Sequence, residues 1–162
     1  MHSAAPTPFR RGRLIGPWQE QGWQDLWFST QVVARPWRTL AILPASPGLH
    51  PDLVTQIAIA LARAGMTHGG EPIHVADASR VTQADLGSFS QEVVSCTRNL
   101  SRVLIALAPI DINPTTVALA QASDAALLCV LRGLTQVRHA RRTVREVGKR
   151  HFVGSTLFDP PR

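Results

Sequence analysis

The sequence predicts a three-layer α/β/α domain built on a mostly parallel sheet. Three observations carry that expectation. Short, continuously apolar runs recur along the chain, as strands buried on both faces require. Between them lie stretches with helical spacing of apolar residues. The two kinds of segment alternate in order, the pattern of a sheet covered by helices on both sides.

The elements follow in turn. Residues 19–33 place Trp23, Leu26, Trp27 and Thr30 at helical spacing. Residues 39–43 are an apolar run suited to a buried strand, and residues 44–51 form a turn rich in proline and glycine. A helix is predicted over 52–64, with Asp52 as a cap, Leu53, Ile57, Ala60, Leu61 and Ala64 on one face, and Gly65 as its stop. Further strands are predicted over 73–76, 103–108, 125–131 and 152–158. Between them, 83–100 contains a helix, and further helices cover 114–122 and 136–150. The carboxyl ends of such strands are where ligands of parallel sheets bind. Here they lead into 44–51, 77–80, 109–113 and 132–135.

At 162 residues the chain is of single-domain size and long enough to bury a core. Residues 1–16 carry Pro6, Pro8, Arg10, Arg11 and Arg13 and lack the apolar stretch of a signal peptide. They are expected to form a flexible basic lead-in to a domain over 17–162. No apolar run approaches the roughly 18 residues of a spanning helix. The two cysteines, Cys96 and Cys129, have no metal-ligand spacing, and Cys129 is expected to be a buried thiol. A cytoplasmic location fits, including the inner face of the membrane.

The net charge of +6 is local. Between Arg132 and Arg150 stand seven basic residues and one acid, Glu146, which account for all of it. On the helix predicted over 136–150, Arg138, Arg141, Arg142, Arg145 and Lys149 form one stripe. Val137, Ala140, Val144 and Val147 form the opposite, buried one. The stripe is open to three readings: a solvated face, a site for an acidic protein or anionic membrane, or a nucleic-acid contact. No aromatic residue interleaves with the arginines, so base stacking is not indicated.

The tryptophans are open to two readings. Trp18, Trp23, Trp27 and Trp37, with Phe28, crowd into twenty residues. They can pin the first helix to the domain or offer a partner-binding surface, since tryptophan is enriched at interface hot spots.

Other chemistry is sparse. His68 and His74 flank Glu71, but no ligand set for a metal results. Ser46 lies outside any Gly-x-Ser-x-Gly elbow, which argues against a serine hydrolase. No two carboxylates are placed as an acid/base pair.

The order of the segments "WRTLAILPASPG", "TQIAIALARAG", "PIHVADASR", "RVLIALAP", "LAQASDAALLCVLRGLTQVRHARRTVREVG" and "KRHFVGSTLF" resembles one known group. These are the bacterial tyrosine kinases of polysaccharide export and, more broadly, the MinD/ParA group of P-loop ATPases. The resemblance covers roughly residues 20–158. It implies a P-loop nucleoside-triphosphatase-like fold, with a phosphate loop after the first strand, a second metal motif at Asp77–Ser79 and a Walker B strand at 103–108. Asp124 also falls at a familiar position.

The residues that would carry the chemistry depart from that pattern. The family's loop reads approximately Pro-Gly-Glu-Gly-Lys-Ser-Thr. Here Pro47 and Gly48 are followed by Leu49, His50, Pro51 and Asp52. The sole lysine, Lys149, is far along the chain. Pro51 removes a backbone donor, and Asp52 would set negative charge beside phosphates. Ser79 stands where a second carboxylate is usual, and Ala106 replaces the Walker B aspartate, with Asp111 behind it as a substitute. No tyrosine exists to be phosphorylated. A match to the family's oligomerising helix puts Glu20, Trp23 and Leu26 in place of its Glu-x-x-Arg-x-x-Arg.

The expectation is therefore a non-catalytic relative without cofactor or metal, with Ser46, Gly48, Asp77 and Asp111 as a vestigial pocket. It would act as a scaffold or regulatory subunit. Trp18, Trp23, Trp27, Arg138, Arg141, Arg142, Arg145 and Lys149 would contact a partner, such as an active homologous ATPase or kinase or a membrane-associated export complex. Homo- or hetero-oligomers are open. The alternatives are a binder of nucleic acid or another anionic polymer, and an ATPase with an atypical loop.

Overall fold

The computed structural model describes residues 17–32, 36–48 and 51–159; the side chains of 17–20 and 51 are outside this set. The expected N-terminal lead-in over 1–16 lies outside the described residues, as do Leu49 and His50. Five parallel strands form one sheet: β1 (Thr39–Pro44), β2 (Ile73–Asp77), β3 (Arg102–Ala106), β4 (Ala125–Leu131) and β5 (Phe152–Phe158). Their spatial order is β2-β3-β1-β4-β5. Five α-helices cover it: α1 (Pro17–Gln31), α2 (Pro51–Gly69), α3 (Leu86–Arg98), α4 (Thr115–Ala122) and α5 (Val137–Val147). The predicted three-layer α/β/α class is what the chain adopts.

Handedness sorts the helices onto faces. The crossover from β1 runs to the edge strand β2, and the later crossovers run the other way. Right-handed connections then place α2 on one face and α3, α4 and α5 on the other. Two apolar clusters confirm this. One joins Leu40, Ile42, Leu104 and Leu127 to Ile57 and Leu61 of α2 and to Trp23 and Trp27 of α1. The other joins Ala41, Leu43, Val103, Ile105 and Ala126 to Leu119 of α4 and Val147 of α5. The strands alternate between the two clusters because successive side chains point to opposite faces.

Three predicted boundaries are corrected. Gly65 does not stop α2, which continues to Gly69. A Cβ at Gly65 would fall 2.5 Å from Ile73 Cδ1 and 2.7 Å from the Trp27 ring. This glycine is a place of close approach, where α1 lies against α2. Likewise α5 ends at Val147 rather than 150, because Gly148 takes φ +104°, a left-handed conformation that glycine tolerates. Lys149 then falls in a short 3₁₀ turn, off the helix and out of the stripe. Finally, the strand expected over 103–108 ends at Ala106, while the helix expected within 83–100 is α3, preceded by a short 3₁₀ turn.

The tryptophans are also corrected. Trp23, Trp27 and Trp37 are 3–5% exposed and belong to the core, so Trp23 and Trp27 do not offer a contact surface. Trp27 meets Trp37 edge-on at 5.7 Å, and Trp23 packs on Phe158 at 5.9 Å. Arg102 stacks over Trp37 at 4.8 Å from its centroid and donates to Gln31, pinning the end of α1. The side chains of Trp18 and Glu20 lie outside the described residues. Leu26 is half-buried against the core.

Candidate functional site at the carboxyl ends of the strands

The direction of the crossovers reverses beside β1, so the crevice of this sheet opens at the carboxyl end of that strand. Of the residues expected to form a pocket there, Ser46, Asp77 and Asp111 each contact another residue of the chain. Ser46 is buried, and its Oγ lies 3.5 Å from Thr135 Oγ1 in the turn after β4. The same Thr135 hydroxyl accepts the Leu131 amide at 2.9 Å. Among the described residues a Cβ at Gly48 would meet only Ser46 Oγ, at 3.9 Å, so their packing does not require glycine there.

Asp77, at the end of β2, turns back on its own loop. Its Oδ1 accepts the Ser79 amide at 3.0 Å and the Ser79 hydroxyl at 2.7 Å. Such a turn satisfies an aspartate locally. Ala106 is buried within β3, in register with Ile42 on one side and Asp77 on the other. No carboxylate therefore stands at position 106 of the strand.

Asp111, the acid behind that strand, faces α5. It accepts a hydrogen bond from Arg142 at 2.6 Å, and His139 Nδ1 lies 3.4 Å from its other oxygen. The first turn of α5 contains Arg138 and His139 and no acid. A cation there, Arg138, opposes the helix dipole, and Asp111 brings negative charge to α5 from the neighbouring loop.

Two residues that sequence reasoning passed over complete the rim. Asn113 Nδ2 donates to the carbonyls of Ser79 and Val81 at 3.2 and 3.0 Å, and Thr115 Oγ1 to that of Val81 at 2.7 Å. They tie the loop after β3 to the loop after β2. The Asn-Pro step at Asn113–Pro114 is a turn signal that points to such a residue. The result is a rim in which β2 and β3 loops, the β3 loop and α5, and the β1 and β4 loops are joined pairwise by side chains.

The basic stripe takes a different shape from the expected one. Arg138, Arg141, Arg142 and Arg145 are exposed. Arg142 is paired with Asp111, whereas Arg138, Arg141 and Arg145 have no acidic partner among the described residues. The buried face of α5 is Thr143 and Val147, with Ala140 and Val144 half-buried and Val137 exposed. At the head of the helix the exposed apolar residues Leu134 and Val137 adjoin the arginines.

The histidines do not gather. His68 packs on Phe28 at 4.9 Å, Glu71 lies 3.4 Å from Arg102, and His74 is exposed on the edge strand. Among the described residues no group of three metal-binding side chains forms. Nor is any described helix long and apolar enough to cross a membrane.

What the described residues define is a parallel three-layer α/β/α protein with side-chain ties across its carboxyl rim and a one-sided cationic helix. No family model, curated protein or solved structure matches the chain.

Proposed function

We propose that this protein is a non-catalytic P-loop-like scaffold or regulatory subunit, whose α5 surface engages an acidic partner. The observation that carries this reading is the engagement of Asp77 and Asp111, the two carboxylates the family resemblance points to. Asp77 is held by Ser79, and Asp111 by Arg142 and His139. Phosphoryl transfer depends on carboxylates that hold a metal and orient the nucleophile. Buried Ala106 stands where another would be needed, and the only lysine lies beyond α5. An active homologue or a membrane-associated, polysaccharide-export complex is the partner that the family resemblance suggests.

Isothermal titration with ATP and magnesium tests the non-catalytic part. No heat of binding at millimolar nucleotide is expected. Binding that Asp77→Ala abolishes would overturn it in favour of an ATPase with an atypical loop.

A second reading is favoured by one observation, the three exposed arginines of α5 without acidic partners among the described residues. They suit the phosphates of a nucleic acid. Duplex DNA binding that weakens steeply with salt would support this alternative. Indifference of that binding to joint charge reversal at Arg138, Arg141 and Arg145 would exclude it.

A further inference from the structure

Among the described helices, α3 alone buries none of its side chains. Its apolar stripe of Leu86, Phe89, Val93 and Cys96 is only half-buried against the second core cluster. The neighbouring α4 has eight residues, and between the two helices and the sheet lies a groove of about 580 Å³. Small-molecule sites span about 300–1,000 Å³ and are mostly apolar, with a few polar groups that set orientation. Phe89 and Val93 of α3, Ile105 of β3 and Leu119 of α4 line this one. From Phe89 to Arg98 it follows α3 for about 14 Å at 1.5 Å per residue.

The polar groups gather at the amino end of the sheet, opposite the rim described above. Asp124 is committed there: its Oδ2 accepts the amides of Arg38 and Thr39. Arg38 donates to the Leu100 carbonyl and faces Glu71 at 3.8 Å. Arg98, which also lines the groove, has no acidic partner among the described residues. The carboxyl termini of α3 and α4 bring partial negative charge to the same end. Against them Arg98 sets a full positive charge with a fork that fits two carboxylate oxygens.

We propose that the groove between α3 and α4 binds a small amphipathic anion, its apolar body along Phe89, Val93, Ile105 and Leu119 and its carboxylate on Arg98. Isothermal titration of the full chain with sodium decanoate, below its micelle concentration, tests this. One saturable site per chain is expected. Octanoate binds roughly fifteenfold more weakly, since each of the two buried methylenes it lacks is worth a factor of about four. Arg98→Gln weakens decanoate about tenfold and leaves 1-decanol unchanged. Val93→Trp fills the groove and removes both; Ser90→Phe, at an exposed lining position, does the same if the first variant fails to fold. Absence of a saturable site, unchanged decanoate affinity in Arg98→Gln or in a folded filled variant, or tighter binding of decylammonium than of decanoate overturns the proposal.

Discussion

Asp111, on the loop after β3, accepts a hydrogen bond from Arg142 of α5 at 2.6 Å, with His139 on its other side at 3.4 Å. One acid thus ties the loop after β3 to α5 and pairs with Arg142, on a helix whose first turn has no acid of its own. The Asp111 side chain is 24% exposed and that of Arg142 is 52% exposed, so solvent screens the pair.

A double-mutant cycle of Asp111→Asn and Arg142→Gln, followed by urea unfolding, is therefore expected to give a coupling energy of only about 0.5–1 kcal/mol. In the cationic-surface readings, Asp111→Asn also frees Arg142, so anion binding by α5 rises while stability falls slightly.

Gly65→Ala is expected to destabilise the protein by about 1–3 kcal/mol, although alanine is the better helix former by about 1 kcal/mol. The added methyl would meet Ile73 and Trp27 at 2.5–2.7 Å. Tryptophan fluorescence during urea denaturation reads the loss. Combining the variant with Ile73→Val relieves one of the two contacts and recovers part of it.

Asp124→Ala should cost about 1–3 kcal/mol. Its carboxylate accepts two backbone amides at the start of β1, and its own amide donates to Thr39 Oγ1 at 2.8 Å. This exchange joins the amino ends of β1 and β4. Amide hydrogen exchange at Arg38 and Thr39 is expected to accelerate in the variant; unchanged protection there would show that the carboxylate does not hold the strand ends.

Cys129 is fully buried, and burial pushes its thiol well above the ordinary range. The unfolded chain releases that proton near pH 8.5, while the folded chain retains it. Above that pH the native state binds more protons than the unfolded state, so stability falls as pH rises, by up to about 1.4 kcal/mol per unit. Comparing urea midpoints at pH 7.5, 9 and 10 with those of Cys129→Ala isolates this slope, which should vanish in the variant. Iodoacetamide should modify the half-buried Cys96 before Cys129 in the native protein.

The order of strands and helices was legible because apolar runs and helical spacing are local patterns. Ala125–Leu131 and Phe152–Phe158 match their predicted limits. The misread points are those where a single residue answers to a distant one. Gly65 reads as a helix stop, yet Trp27 and Ile73 require a glycine there. The aromatic cluster supports either a core or a surface, and only packing against α2 and β5 selects the core.

The candidate site was legible in composition but not in geometry. The scarcity of lysine, the alanine at 106 and the concentration of charge after Arg132 are plain in the residues themselves. That Asp111 turns to α5, that Asp77 folds back on Ser79 and that Lys149 leaves the arginine stripe are not. The Asp111 contacts reach 28 and 31 positions along the chain, and Lys149 is displaced by the left-handed turn at Gly148. Sequence by itself determined the fold class and the one-sided charge, because hydrophobic period and residue type act locally. Tertiary structure alone decided which carboxylates are engaged, which arginines lack partners and where a groove stays open beneath α3, because these depend on which crossovers bring distant loops and helices within a few ångströms.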